Sequence, residues 1–197
     1  MNFLAHLHIA DHTGTSLPGA LAADFIRGQI PESSSAFLTG VRLHRYVDAW
    51  VDQHSMVLDL KSRFDPAHRR MAGILLDMAF DHQLAGHWPV YHDWTLERFS
   101  QHCYSELHGA DKLPPRLTHI LPFMSRDDWL SQYQHREGIE RSIEGIARRM
   151  SRPEVLKEGI YEIWRLEFEI HRAFASLYPE LLEASQSWLA KQATGST

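Results

Sequence analysis

With 197 residues, 44% of them hydrophobic and 23% charged, the chain is long enough to bury a core of its own, and no apolar run reaches the roughly 18 residues that suggest a membrane span. Its formal net charge of −5 argues against general nucleic-acid binding, which takes most of its affinity from basic residues at phosphates. The single cysteine, Cys103, provides for neither an internal disulfide nor a thiolate metal site, so the fourteen histidines are the notable resource for metal or proton chemistry.

The first stretch, Met1-Asn2-Phe3, has neither a basic n-region nor a small-residue cleavage site and is interrupted by His6 and His8, so it reads as a helix start and the cytoplasm is expected. His6 shares the less apolar side with Asn2, as a metal ligand, as a partner to a ligand, or as a structural residue. Leu17-Pro18 opens a short helix expected to run through Arg27 and to stop at Gly28. Asp24 and Arg27 would then share a face, the carboxylate toward a metal and the guanidinium toward a phosphate oxygen, although the same spacing suits a salt bridge between them. The serines at 33–35 can cap a second helix over about residues 37–60. His44, Asp48 and Asp52 form a row along the edge of its apolar face, a set that suits Mn, Fe or Zn, or Mg where carboxylate and water dominate. A surface His and Asp contact is the competing reading.

Asp65-Pro66 begins a third helix, expected to reach Gly86 and to be buried because residues 71–80 are apolar almost all the way round. Inside it lies the sharpest local signal, Asp77-Met78-Ala79-Phe80-Asp81-His82. Asp77 and Asp81 share a face, and two carboxylates in a poorly solvated place raise a pKa or call for a cation. The alternative leaves one exposed and pairs the other with Arg69 or Arg70. His82 is turned roughly 140° from Asp77, which suits a second ion or a role in orienting Asp81.

Segments over about residues 96–107, 116–124, 128–150, 153–178 and 179–191 also favour helix, sustained alternation of the strand kind is lacking, and residues 193–197 read as a flexible tail. The expectation is a single all-α, bundle-like domain over residues 1–192. Arg42 and Arg45 fall near the proposed site. Arg141, Arg148, Arg149 and Arg152 form a second basic group, suited to phosphate or an acidic partner, or to a solvated helix face with Glu137, Glu140 and Glu144. No Gly-rich phosphate loop, nucleophile elbow or HExxH signature is present.

As a set, Asn2-Phe3-Leu4-Ala5-His6, Ala23-Asp24-Phe25-Ile26-Arg27-Gly28, His44-Arg45-Tyr46-Val47-Asp48 and Leu76-Asp77-Met78-Ala79-Phe80-Asp81-His82 resemble the acyl carrier protein phosphodiesterase family. The likeness continues through Trp129-Leu130, Tyr133 and Gly145-Ile146-Ala147-Arg148-Arg149. That family looks like a divergent branch of the HD-type metal-dependent phosphohydrolases. The resemblance therefore implies an HD-domain-like helical fold and a divalent ion, Mn or Mg ahead of Fe or Zn. It also implies hydrolysis of the phosphodiester joining 4′-phosphopantetheine to a serine of the acidic holo-acyl carrier protein. The adjacent His-then-Asp pair of that superfamily is absent from these motifs: Asp11-His12 and Asp81-His82 run in reverse, and His92-Asp93 lies later. By motif position, His6, Asp24, His44, Asp48, Asp77, Asp81 and His82 are the expected metal ligands, with Asp24, Asp77, His82, Arg27 and Arg45 in catalysis. Arg141 to Arg152 are the expected docking surface for the carrier. A small-nucleotide phosphohydrolase and a non-catalytic helical binding protein are the alternatives.

Overall fold

The computed structural model describes residues 1–31 and 35–194, and every regular element among them is helical. Helix α1 (Phe3–His12) has Leu4 through Ala10 all buried, and this includes His6, which the sequence pattern sets on a less apolar side. Helix α2 (Leu17–Ala22) begins where Ser16 Oγ accepts from Gly19 N at 3.0 Å, and it ends a turn earlier than expected. The chain tightens to a 3-10 turn over Ala23–Phe25 and Ile26 is extended, so Asp24 and Arg27 do not share a helix face. Gly28, at φ +84, turns the chain where an L side chain would be strained.

Helix α3 (Ala36–Gln53) is capped by Ser35, whose Oγ accepts from Leu38 N, while Ser33 and Ser34 lie outside the described residues. It stops at His54, and α4 (Ser55–Arg63) starts there, so the single helix expected over this region is two. His54 is the reason: its backbone is extended, its Nδ1 accepts from Met56 N, and its ring sits 4.8 Å from Trp50. The next helix also starts late. Asp65 Oδ1 accepts from Ala67 N to make a turn, a 3-10 turn follows over Arg69–Met71, and α5 spans Ala72–Gly86.

Helices α6 (Leu96–His108) and α7 (Pro115–Arg126) fall where expected. The segment over residues 128–150 divides into α8 (Trp129–Gln132) and α9 (Arg136–Ala147); Asp128 is left-handed, and a Cβ on Gly138 would overlap the Gln132 carbonyl. Helices α10 (Pro153–Glu158) and α11 (Ile160–Arg165) break what reads as one helix, whereas α12 (Glu167–Thr194) runs straight through Pro179. Buried Phe174, Leu177, Tyr178 and Leu181 hold α12 on both sides of that proline, so packing overrides the lost N–H. Residues 195–197, most of the expected tail, lie outside the described residues.

One contiguous core joins buried side chains from Met1 to Leu181. Helix α1 lies inside it, against α2, α3, α5 and α12. Helices α2 and α3 cross at glycines: a Cβ on Gly40 would stand 2.6 Å from the Ser16 carbonyl, and one on Gly19 would overlap that of Phe37. No helix among the described residues is long and apolar enough to cross a membrane.

Candidate metal centre

The crossing of α1 over α3 stacks the His6 and His44 rings, centroids 3.5 Å apart and planes within 15°. Their Nε2 atoms converge on one carboxylate four residues along α3 from His44: His6 Nε2 is 3.0 Å from Asp48 Oδ1, and His44 Nε2 is 3.1 Å from Asp48 Oδ2. The close α2 and α3 crossing brings in the 3-10 turn, placing Asp24 Oδ1 3.5 Å from His44 Nε2. Helix α5 supplies Asp77, whose Oδ1 lies 2.7 Å from the buried Met1 α-amino group, itself 3.8 Å from Asp48. Five expected site residues, His6, Asp24, His44, Asp48 and Asp77, thus meet. The imidazoles form a buried floor, and the three carboxylate side chains, each 41–42% exposed, form the mouth.

Two stacked imidazoles do not both carry charge. Burial, reinforced by His44, pulls His6 down to about 4. Burial opposes charge on His44 as well, yet hydrogen bonds to Asp24 and Asp48 lift it to about 9. Against its own burial, Asp48 is held well below the usual carboxylate range by bonds from His44 and His6. Asp24 is lowered against burial by His44, while burial pushes Asp77 up despite the Met1 ammonium. The Asp24 and Asp48 carboxylates thus face the His44 imidazolium and the Met1 ammonium, with Asp77 beside them as a third carboxyl that burial biases toward its neutral form. One ligand atom each from His6, His44 and Asp48 lies within 4.8 Å of the others, a two-nitrogen, carboxylate-bearing set that fits a divalent ion. His44 Nδ1 is buried without a hydrogen-bond partner among the described residues, so that ring is held by its Nε2 bonds and by its stack on His6.

The model of the acyl carrier protein phosphodiesterase family matches residues 1–181. The chain belongs to this family. It is 31% identical to the acyl carrier protein phosphodiesterase of Klebsiella pneumoniae (strain 342), over 95% of this chain and 98% of that one. It is 34% identical to the Photorhabdus laumondii protein of the same name, over 95% and 96% of the two chains, and 32% identical to one from Escherichia coli O45:K1, over 93% and 96%. No solved structure matches the chain.

In this family member, the remaining expected site residues go elsewhere. Asp81 is fully buried and caps α1 from outside that helix: Oδ1 accepts from Asn2 N and Ala5 N, both at 3.2 Å, and Oδ2 from Leu4 N at 2.8 Å. The α5 carboxylates are therefore divided, Asp77 to the centre and Asp81 to the helix terminus, whose exposed N–H groups and dipole favour an anion. Burial pushes the Asp81 carboxyl up to about 7 against the pull of these donors. His82 faces away from the centre, its Nδ1 2.7 Å from the Tyr133 carbonyl and its ring edge-on to Trp164. Arg45 donates to the carbonyls of Gly28 at 2.7 Å and Ile26 at 3.0 Å, so its guanidinium clasps the loop after Asp24 and is committed there. Arg27 is exposed, and Asp24 pairs with His44 rather than with it. Asp52 turns outward to Lys61, and His92, of the pair in HD order, lies beside Asp11.

Sequence reasoning missed the Met1 ammonium between Asp77 and Asp48, and it undervalued the burial of His6. The signal for the latter is the all-round apolar run from Leu4 to Ala10, which leaves no exposed side for a histidine.

Proposed function

We propose that the protein hydrolyses the phosphodiester joining 4′-phosphopantetheine to a serine of holo-acyl carrier protein, releasing the apo carrier, in the cytoplasm and as part of lipid metabolism. Its ion would be Mn or Mg, with Fe or Zn as alternatives, held by His6, His44 and Asp48 with Asp24 and Asp77 at the mouth. The convergence of both imidazole Nε2 atoms on the two oxygens of Asp48 carries this reading. A bound divalent ion supplies Lewis acidity toward the phosphoryl oxygens and a lowered pKa for water. The protein's own residues do the rest. Asp48 fixes both rings in register, and Asp24 and Asp77 offer solvent-facing oxygens for proton transfer, with Asp77 the better suited because burial raises its carboxyl. Arg27, exposed three residues after Asp24, would be the cation that meets phosphoryl charge.

The carrier would dock on the basic group at the end of α9. Arg148 is only loosely tied to Glu144 at 3.8 Å, and Arg149 is lowered by burial and by the like charge of Arg116, so these cations have an unmet demand for anionic partners. Charge reversal at Arg148 and Arg149 should weaken carrier affinity, and unchanged affinity and turnover would end this part of the reading.

The decisive experiment is mass spectrometry of holo carrier incubated with the protein, with Mn or Mg supplied or chelated, alongside Asp48→Ala. The wild-type protein should remove the phosphopantetheine mass only with metal, and the variant should be slower by more than about 100-fold. A carrier left intact under every metal condition overturns the substrate. Full activity in the variant overturns the site.

A further inference from the structure

A second place in the fold gathers imidazoles: a cavity of about 390 Å³ between the C-terminal end of α5 and the start of α12, lined by none of the residues of the centre described above. His82, His87 and His171 all line it. Each has its Nδ1 against an oxygen. His82 Nδ1 is 2.7 Å from the Tyr133 carbonyl, His87 Nδ1 is 2.9 Å from the Gln83 carbonyl, and His171 Nδ1 is 2.9 Å from Gln83 Oε1. A carbonyl oxygen only accepts, so each ring donates through Nδ1, and the neutral form of such a ring presents Nε2 as a free lone pair. The buried Gln83 serves two of these rings at once, one through its backbone and one through its side chain, and holds the His87 and His171 rings 4.7 Å apart. One ring nitrogen donating to an oxygen while the other is bare is how a protein orients histidines that bind metal.

We propose that His87 and His171 form a second metal site, for a divalent transition ion of the zinc, cobalt or nickel class, that ties the end of α5 to α12. Two imidazoles suit these ions and not Mg, which demands oxygen ligands. The remaining coordination positions open onto the cavity: His87 is exposed, and a Cβ added at Gly86 would meet nothing within 4 Å. Glu167 lines the same wall, but it is drawn 2.6 Å from Arg136, so it balances that arginine and leaves the two nitrogens as the protein ligands. The site is independent of the reaction proposed above.

The test is zinc alone, titrated calorimetrically into the full chain, with long-range nitrogen–proton NMR of the histidine rings to identify coordinated nitrogens. The full chain should bind two zinc ions. His87→Ala and His171→Ala should each weaken one of them by about tenfold or more and leave the other unchanged, whereas Asp48→Asn should weaken the other. In the wild-type protein, zinc should move the Nε2 resonances of His87 and His171 and leave their Nδ1 protonated. Either histidine variant binding two ions as tightly as the wild-type protein would overturn the site, as would a single ion per chain that only Asp48→Asn removes. Circular dichroism of the variants separates loss of a ligand from loss of the fold.

Discussion

Replacing Asp81 by alanine removes the acceptor that Asn2, Leu4 and Ala5 share at the start of α1. The bonds from Leu4 and Ala5 are buried, and a buried donor left unsatisfied costs about 1–3 kcal/mol, while losing a helix cap costs about 0.5–2 kcal/mol. Relief from burying the carboxylate offsets part of this, so the net loss should be about 2–4 kcal/mol, a large share of the roughly 5–15 kcal/mol that holds a domain folded. Urea unfolding of the metal-free protein measures it, with Asp81→Asn, which keeps one carbonyl acceptor, falling between the two. The pH dependence adds an independent check. Because the folded carboxyl titrates near 7 and the unfolded one near 3.8, the native state holds the extra proton between those values. The contribution of this group to stability therefore falls as pH rises through that window and levels off above it, so the advantage of wild type over Asp81→Asn should shrink from pH 5 to pH 7. A metal ligand would behave in the opposite way: its removal would relieve repulsion in the metal-free protein and abolish metal binding. Metal-free stability reduced by less than about 1 kcal/mol in Asp81→Ala, together with lost metal affinity, would refute the capping role.

The glycine crossing should be as sensitive: Gly19→Ala pushes a methyl into the Phe37 carbonyl, and should cost about 1–3 kcal/mol in urea unfolding and weaken metal affinity by displacing Asp24 from His44. Arg45→Ala releases the Ile26 and Gly28 carbonyls, and should lower kcat by about tenfold with metal affinity reduced in parallel, whereas Arg27→Ala should lower kcat/KM with metal affinity intact; the two are separated by steady-state kinetics and metal titration. Glu162, hydrogen-bonded to Arg165 and to Asp65 N, is held down to about 2 by those bonds. Its stabilisation is present above the ordinary value of 4.5 and is lost as pH falls toward 2, so Glu162→Gln should cost about 1 kcal/mol at pH 7 and nothing at the acid end, read from unfolding curves across that range.

The helical class is legible because apolar residues recur at helical spacing and because Pro, Gly and Ser mark most starts. What escapes are choices made by distant contacts. His54 ends α3 by capping α4 and packing on Trp50, which its sequence neighbours do not announce, and Pro179 is carried inside α12 by core residues on either side. The centre shows the same limit. The spacing of His44 and Asp48 fixes their common face, so that pair is readable locally. Asp77 and Asp81 stand on one face, yet one reaches the mouth and the other a helix terminus, because α1 begins against α5 at the level of Asp81. Arg45 reads as a phosphate ligand until Gly28 folds its carbonyl back over α3.

Because His6 stands on a helix buried from Leu4 to Ala10, flanked on both sides by fully buried residues, its part of the imidazole floor has no loosely held segment. On the metal reading proposed above, ion occupancy would act on the folding equilibrium of that core, by about 1.4 kcal/mol for each tenfold excess of metal over its dissociation constant. Adaptation to a large partner then falls to the partner, whose long pantetheine arm carries the conformational freedom that a rigid site on α1 lacks.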